Sequence, residues 1–249
     1  MLGIIDRFYV FTKSIKGDED HNASWKFEIE QHNGKETSWF CFIPNKVARM
    51  PLLRKGLIPN EGDVFIYTLS SLNLIKPNPK QTARCLTEIY NDVTERINQS
   101  LEKGHTLNFL GVSLGNVLSI RAAGNSDSNI EKLVSIVGGG RLGLSAWDSL
   151  LTGHIARQSE LRSPEEYEKK LSEFSPLNNI EGITTNEIII RLGTADLLIP
   201  YKYGQELASA LITQGKRTGA KIDYKAYRGA DHSTAIFLSA LDRNIRTFL

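Results

Sequence analysis

The sequence predicts an α/β fold in which a mostly parallel sheet is flanked by helices on both faces. Short apolar segments bounded by turn residues indicate strands, and longer stretches with apolar residues at steps of three and four indicate amphipathic helices. The two kinds of segment alternate along most of the chain. Because parallel strands need a crossover connection, usually a helix, this alternation favours a parallel sheet.

Length and composition are those of a soluble globular protein, with 249 residues, 41% of them hydrophobic and 23% charged. We expect a single domain that spans residues 1–249. The net charge of +2 comes from 30 basic and 28 acidic residues without a basic stripe, so no nucleic-acid partner is expected. Charges interrupt every apolar segment before it reaches a membrane-spanning length, and the N-terminus resembles no leader, which favours a cytoplasmic protein. The oligomeric state is not predicted.

The first half of the chain contains candidates for several strands and one long helix. The alternating segments FYVF and WKFEIE, within residues 8–30, predict an N-terminal hairpin. SWFCFI and VFIYTL predict buried strands, and a short segment between them is a candidate helix. Apolar residues recur at helical steps from 79 to 103, which predicts an amphipathic helix that ends at Gly104.

Strand and helix alternate regularly in the second half. LNFLGV predicts a strand, and VLSIRAAG predicts a helix that ends at Gly124. KLVSIV, EIIIRLG and KIDYKAY predict three further strands, with helices at about 203–213 and 234–249. Arg191 is unusual in the buried strand EIIIRLG, and its side chain is expected either to reach the edge of the sheet or to pair with a carboxylate.

GVSLG places Ser113 between two glycines, after a strand and before a helix. This G-x-S-x-G pattern in this context is typical of a nucleophile elbow, a tight turn that projects a serine from the sheet. A side chain at Gly111 or Gly115 is expected to collide with the neighbouring strand or helix. The amides that begin the following helix favour a developing oxyanion.

A serine nucleophile needs a base and an acid that orients the base. His232, in RGADHST, is the only histidine between a late strand and the final helix, and Asp196, in RLGTADLLIP, follows another strand. Asp231 is less suitable because His232 would have to fold back on it, and Asp148 lies outside the strand ends. The other histidines are expected to be solvated or locally hydrogen-bonded: His21, His32, His105 and His154.

Serine, aspartate and histidine in this order, each after a different strand, resemble the α/β-hydrolase family over nearly the whole chain. GVSLG resembles the family's elbow, GTADLLIP its acid loop, ADHS its histidine loop, and FSPLN the segment that leads back from its lid. The resemblance implies that Ser113 is the nucleophile, Asp196 the orienting acid and His232 the general base.

The resemblance also implies an oxyanion hole made of the amide of Leu114 and a second amide after SWFCFI. Asn45 is the candidate for this second donor, and Lys46 is the alternative. The family's usual His-Gly is replaced here by the sequence IPN, and Pro44 has no N–H to donate. Asn116 replaces a glycine that often follows the elbow, and we expect it only to tighten the packing of the helix.

Residues 144–186 show helical periodicity without a strand and are expected to form a helical cap or lid insertion. Trp147, with the leucines of LSAWDSLL, is expected either to face an acyl chain or only to pack the cap onto the sheet. GGGRLG matches a dinucleotide-binding pattern, but its glycines lead into this insertion instead of a clear crossover helix.

The resemblance implies hydrolysis of carboxylic esters of small or medium-sized molecules through an acyl-enzyme, with no cofactor. The expected partner is a small-molecule ester or thioester. The alternatives are a thioesterase or acyltransferase on the same fold and a non-catalytic ligand-binding member. Histidines and carboxylates lack the spacing of metal ligands, so no metal is expected.

Overall fold

The computed structural model describes residues 24–32, 36–126, 130–161 and 163–249. These residues contain seven strands: β1 (Trp25–His32), β2 (Thr37–Pro44), β3 (Gly62–Leu69), β4 (Thr106–Val112), β5 (Ile130–Ile136), β6 (Thr185–Gly193) and β7 (Lys221–Tyr227). They form one sheet in the order β1-β3-β2-β4-β5-β6-β7. Only the edge pair β1–β3 is antiparallel. The mostly parallel sheet predicted from the sequence is confirmed.

The helices of the described residues connect these strands. They are α1 (Asn45–Arg49), α2 (Pro51–Leu57), α3 (Ser71–Leu74), α4 (Pro79–Glu102), α5 (Gly115–Gly124), α6 (Leu142–Asp148), α7 (Gly153–Ala156), α8 (Pro164–Leu171), α9 (Tyr201–Thr218), α10 (His232–Leu241) and α11 (Arg243–Phe248). Two 3₁₀ turns, Ser172–Phe174 and Pro176–Asn179, follow α8.

The apolar strands are explained by cover on both faces of the sheet. In β2, Phe40 and Phe42 belong to one apolar cluster, which also contains side chains from α4, α5 and α9. Trp39, Cys41 and Ile43 belong to the cluster on the other face, with side chains from α1, α2, α10 and α11. Since successive residues point to opposite faces, a strand covered on both sides has no position for a polar side chain.

Each strand predicted in the described residues is present, with boundaries that differ by two residues or fewer at most ends. WKFEIE forms most of β1, which pairs with β3, whereas its predicted hairpin partner FYVF lies outside the described residues. The long helix α4 begins where predicted. Pro79 is its first residue, and the Asn78 side chain accepts the amide of Lys80 as an N-cap.

Two helix predictions in the second half were wrong in their limits. α9 is longer at both ends than 203–213, since it runs from Tyr201 to Thr218. Gly219 follows as its left-handed C-cap, with φ 81°. The final helix breaks at Asp242, so His232 is the first residue of α10 and does not lie in a loop. Asp242 is extended and caps α11 by accepting the amide of Asn244.

The segment between β5 and β6 is helical and contains no strand, as the periodicity predicted, and it extends from α6 to the second 3₁₀ turn. It starts two residues before the predicted limit, and β6 begins at Thr185, inside the predicted range. Its role as a cap and the division into domains stay predictions. No helix within the described residues is both long and apolar enough to cross a membrane.

Arg191, the unusual residue of β6, pairs with carboxylates. Its side chain is fully buried and binds both oxygens of Asp223 on β7, at 3.1 and 2.6 Å. Its Nε donates to Asp242 Oδ2 at 3.1 Å. Burial acts to lower the pKa of Arg191, but the hydrogen bonds and charges of these carboxylates outweigh it and raise that pKa.

Candidate active site

Ser113 follows β4 directly and has φ 57°, in the left-handed region. Residues other than glycine are uncommon there, and such strain persists only where the surrounding contacts enforce it. The backbone of Ser113 is held on both sides: its N–H donates to Ile136 O at 2.9 Å, and its C=O accepts the amide of Asn116 at 3.1 Å. These contacts fix the turn that projects the serine from the carboxyl edge of the sheet.

The two glycines of GVSLG are required by close approach. A Cβ on Gly115 would collide with the backbone carbonyl of Phe42 in β2. A Cβ on Gly111 would collide with Ser119 Oγ and with the backbone of Asn116, both in α5. The collisions expected from the sequence therefore occur on the neighbouring strand and helix, and they explain why both positions lack a side chain.

Asn116 does more than tighten helix packing, the role predicted from the sequence. Its buried amide Nδ2 lies within hydrogen-bond distance of three carbonyls, those of Gly111 at 3.1 Å, Ser113 at 3.1 Å and Ile136 at 3.0 Å. These carbonyls belong to the end of β4, the elbow and the end of β5. The sequence signal for this role was an amide side chain in the apolar segment NVLSI. A buried polar side chain there is expected to form hydrogen bonds with other groups of the protein.

Asp196 and His232 are in direct contact. His232 Nδ1 lies 2.7 Å from Asp196 Oδ2. The other carboxylate oxygen, Oδ1, accepts the amides of Leu198 and Ile199, each at 2.9 Å. Because the ionised carboxylate only accepts hydrogen bonds, Nδ1 carries the proton of the neutral imidazole, and the lone pair of Nε2 is available.

The two aspartates that the sequence disfavoured as acids have other partners. Asp231 is the N-cap of α10 and accepts the amide of Thr234 at 2.7 Å, a hydrogen bond that lowers the pKa of Asp231. Asp148 accepts from the hydroxyl of Tyr203 at 2.7 Å and pairs with Lys202 at 2.8 Å. Asp196 is thus the one of these three aspartates that contacts the His232 ring nitrogen.

Ser113 and His232 line the same cavity, which has a volume of about 60 Å³. Apolar side chains form most of its wall: Val117, Leu142, Ala146, Leu151, Leu198 and Ile199. Ser113 is 8% exposed. Among the described residues no hydrogen bond joins Ser113 Oγ to His232, a contact that in free enzymes is often long and tightens only when substrate binds.

The two residues predicted for the oxyanion hole lie in different places. Leu114 lines the cavity, and its N–H makes no backbone hydrogen bond within the described part of the chain. Asn45 begins α1 after Pro44 and does not line the cavity, and the same is true of Lys46. The structure therefore brings Ser113, Leu114, Asp196 and His232 together, and the second donor stays a prediction.

Other features noted in the sequence have packing roles. Trp147 does not line the cavity, and its ring lies 5.7 Å from that of Tyr167. A Cβ on Gly138 would be 2.5 Å from the Asn116 side chain, so this glycine makes room for the amide that holds the elbow. Across residues 24–32, 36–126, 130–161 and 163–249 no cluster of three or more His, Cys, Asp or Glu side chains could hold a metal ion.

No protein-family model and no curated protein matches the sequence. Solved structures match the fold. An acylaminoacyl peptidase of Pyrococcus horikoshii superposes with a TM-score of 0.59 at 12% identity, over 98% of this chain and 41% of that one. This chain thus spans about two fifths of the length of that peptidase.

Two further structures are similar over most of both chains. Carboxyl esterase 2 of the fungus Tuber melanosporum has a TM-score of 0.55 at 12% identity, over 99% of this chain and 85% of that one. An alpha/beta hydrolase superfamily protein of Enterococcus faecalis has a TM-score of 0.51 at 14% identity, over 90% of this chain and 92% of that one. Together with the sheet order and the elbow, these similarities show that the chain has the α/β-hydrolase fold.

Proposed function

We propose that the protein is a serine hydrolase that cleaves carboxylic esters of small or medium-sized molecules through an acyl-enzyme. The observation that carries the proposal is the 2.7 Å contact between His232 Nδ1 and Asp196 Oδ2, beside a cavity that also contains Ser113 on a strained turn. A pairing of this kind prepares a histidine to take a proton from a serine hydroxyl. The peptidase and esterase names of the structural neighbours agree with hydrolytic chemistry.

In the first half-reaction Ser113 Oγ attacks the ester carbonyl carbon while His232 Nε2 takes the hydroxyl proton. Asp196 keeps the imidazole in the required tautomer and stabilises the imidazolium. The N–H of Leu114 binds the oxyanion, with the amide of Asn45 as the candidate second donor. His232 then gives its proton to the leaving alcohol oxygen as the C–O bond breaks, which leaves the acyl group on Ser113.

In the second half-reaction water attacks the acyl carbonyl carbon. His232 Nε2 takes a proton from this water, and the same N–H groups bind the second oxyanion. When the bond to Ser113 Oγ breaks, the imidazolium returns the proton to this oxygen. The products are a carboxylic acid and the free enzyme, and no cofactor takes part in the sequence proposed.

The apolar residues around the cavity favour an ester substrate without charge. None of its lining residues is a lysine or an arginine, within the part of the chain that the structure describes. Leu151 and Leu198 are among the apolar residues of its wall. A thioester of coenzyme A carries phosphates that favour basic residues, so this apolar lining suits an uncharged substrate better.

Reaction with a fluorophosphonate probe tests the proposal directly, since the probe labels serines activated by a histidine. We expect stoichiometric labelling at Ser113 and a loss of at least about 10⁴-fold in kcat/KM for Ser113→Ala. Ser209→Ala, which removes an exposed serine on α9, is the matched control and should retain full activity. Intact wild-type protein that is never labelled at Ser113 would exclude the mechanism.

A substrate panel then distinguishes the chemistry. It should contain p-nitrophenyl esters of increasing acyl length, acyl-CoA thioesters and an N-acylaminoacyl anilide, the last because of the peptidase among the structural neighbours. We expect the highest kcat/KM with short p-nitrophenyl esters. A thioester or anilide that is cleaved faster than every ester would replace the ester assignment while leaving the serine mechanism intact.

A further inference from the structure

The cavity beside Ser113 contains a buried hydroxyl without a hydrogen-bond partner, that of Ser145. Ser145 lies on α6, lines the cavity and is 7% exposed. Its Oγ is buried and makes no hydrogen bond within the described residues. Most buried hydroxyls in proteins are paired, because an unpaired one has lost its hydrogen bonds to water without replacement. Other unpaired buried hydroxyls of the described residues, such as those of Thr68 and Ser135, do not line the cavity, whereas that of Ser145 lies in the same wall as the proposed nucleophile.

Neighbouring hydroxyls in the same wall have internal partners. Ser149 Oγ accepts the amides of Leu151 at 3.1 Å and Thr152 at 3.3 Å. Thr152 Oγ1 donates to Ala146 O at 3.0 Å. Ser71 is partly exposed to water. Ser145 is therefore the hydroxyl of this wall that is both enclosed and available.

A glycine keeps space open beside this hydroxyl. A Cβ on Gly139, which also lines the cavity, would lie 2.6 Å from Ser145 Oγ and 2.8 Å from Ile199 Cγ2. Even an alanine at this position would press against the hydroxyl. Because Gly139 lacks a side chain, no Cβ occupies the space between its backbone and Ser145 Oγ in this wall of the cavity.

We propose that Ser145 Oγ is a specificity-determining hydrogen-bond site for a hydroxyl or carbonyl oxygen on the acyl part of the substrate. The inference rests on the ester hydrolysis proposed above. The acyl group stays bound to Ser113 between the two half-reactions, whereas the alcohol leaves toward solvent, so the enclosed wall meets the acyl side. A cavity of about 60 Å³ holds only a few water-sized groups, which restricts the substrate to esters of short hydroxy or oxo acids.

Paired substrates of equal size isolate the hydrogen bond. Ethyl lactate is compared with ethyl 2-methylpropanoate, and ethyl 3-hydroxybutanoate with ethyl 3-methylbutanoate, by following acid release. Each pair exchanges a hydroxyl for a methyl group. We expect Ser145→Ala to lower the preference for the hydroxylated member of at least one pair by about tenfold relative to wild type, the effect of one buried hydrogen bond. Comparing the two proteins cancels the intrinsic reactivity of each ester.

The control is Ser149→Ala, which removes a hydroxyl of the same cavity wall that already has two internal partners. This variant should lower the melting temperature but keep the wild-type preference. Ser145→Ala should keep or raise the melting temperature, because the hydroxyl that it removes has no partner in the free protein. A clear drop would show that the hydroxyl has an internal structural bond, and would overturn the proposal.

The outcomes separate this inference from the proposed function. If Ser113 reacts with the fluorophosphonate but wild type and Ser145→Ala show the same preferences in both ester pairs, the Ser145 site is excluded and the hydrolase remains. If Ser113 never reacts, the hydrolase fails and the Ser145 site fails with it. A preference lost in Ser145→Ala, retained in Ser149→Ala and accompanied by normal labelling supports the site.

Discussion

Asn116 links the three backbone segments that meet at Ser113. Its Nδ2 lies 3.0–3.1 Å from carbonyls in β4, in the elbow and at the end of β5. Asn116 and Ile136 are both fully buried, so water cannot replace the side chain at the Ile136 carbonyl. The left-handed backbone of Ser113 stores strain, and a fixed amide at this position opposes relaxation of the turn.

Asn116→Ala should weaken both stability and activity. We expect a loss of about 2–3 kcal/mol in the free energy of unfolding, from several carbonyls that lose a buried partner. The turn can then relax, and displacing Ser113 Oγ from the substrate carbonyl should lower kcat/KM by roughly 10- to 100-fold. Urea unfolding and ester hydrolysis measure the two effects.

Asn125→Ala is the control for that prediction. Asn125 is exposed at the end of the same helix, where its side chain donates to Arg121 O at 2.7 Å. Its removal should cost less than about 1 kcal/mol and leave kcat/KM unchanged. Equal kinetic losses in both variants would show that α5 as a whole, and not the amide at the elbow, controls the reactivity of Ser113.

Single residues were predictable where residue type carries chemistry. Ser113, Asp196 and His232 could be named as candidates because a serine elbow, an acid and a base must follow separate strands in a parallel sheet. The structure places them close together, and their roles stay predictions. The roles of Asn116 and Ser145 depend on which atoms surround them, and no pattern in the sequence encodes that. The second oxyanion donor was not settled, since the position of an amide relative to a bound oxyanion depends on loop geometry around Pro44.

At the scale of elements, α6 forms one wall of the cavity and is held by a carboxylate from α8. Glu168 Oε2 accepts the amides of Gly143 at 2.6 Å and Leu144 at 3.1 Å, in the first turn of α6. Glu168 Oε1 accepts the hydroxyl of Ser175 at 2.5 Å. A carboxylate at this end satisfies unpaired amides and interacts favourably with the helix dipole.

Glu168→Ala should make α6 more mobile and weaken substrate binding more than it slows the chemical step. We expect a loss of about 2 kcal/mol in the free energy of unfolding, because charge-assisted hydrogen bonds are lost. Since Leu142, Ser145 and Ala146 of α6 line the cavity, KM should rise more than kcat falls. Steady-state kinetics with a short ester give this split.

The exposed Glu165, in the first turn of α8, provides the comparison for Glu168. Glu165→Ala removes the same charge from the same helix without touching α6, and should cost at most about 0.5–1 kcal/mol through the dipole of α8. KM should stay at the wild-type value. If Glu168→Ala lowers kcat and leaves KM unchanged, α6 does not determine substrate binding.

Strands were easier to predict than helix ends for a physical reason. A buried strand is apolar throughout, so its limits coincide with the change in composition, as in SWFCFI, which β2 extends by one residue at each end. The residues by which α9 exceeds the predicted limits are mostly polar or glycine, and they carry little apolar periodicity although Gln214 and Gly215 are buried. The break at Asp242 depends on tertiary contacts with Arg191 and Tyr227, which local sequence does not reveal.

At the scale of the whole molecule, strand order brings the site together. β4, β5, β6 and β7 are neighbours and parallel, so the loops that carry Ser113, Asp196 and His232 share one edge of the sheet. The acid and histidine loops are also joined directly, because Ala195 N–H donates to Ala230 O at 3.0 Å. The alternation of strands and helices in the sequence predicted that these loops lie at one edge of a parallel sheet. The order of the strands within the sheet was not predictable from this alternation and is known from the structure.

A buried ion cluster connects this sheet to its last helices. Arg191 of β6 contacts Asp223 of β7 and Asp242 between α10 and α11. Partial burial acts to raise the pKa of Asp223, but the hydrogen bonds and charge of Arg191 outweigh it and lower that pKa below its ordinary value. For Asp242 burial is likewise outweighed, by the amide of Asn244, the Tyr227 hydroxyl and Arg191, and the pKa is again lowered.

Because both folded-state pKa values are lowered, the stability that these carboxylates contribute is present above their unfolded pKa, about 4, and is lost as the pH falls below it. Arg191→Gln leaves the carboxylates without their cation and should cost about 3–5 kcal/mol at pH 7. The difference from wild type should shrink as the pH falls from 4 toward 3, because the two carboxylates then take up protons in the unfolded chain while their lowered pKa values oppose protonation in the folded one. Urea unfolding between pH 3 and pH 7 measures this difference. If Arg191→Gln does not fold, Asp242→Asn serves instead: it retains a capping side chain, and the stability of this variant should fall less in acid than that of wild type.

The control is Arg84→Gln, which breaks an exposed pair with Glu88 and should cost less than about 1 kcal/mol at every pH. A difference for Arg191→Gln that is constant across this range would mean that Arg191 stabilises the sheet by packing and not by charge.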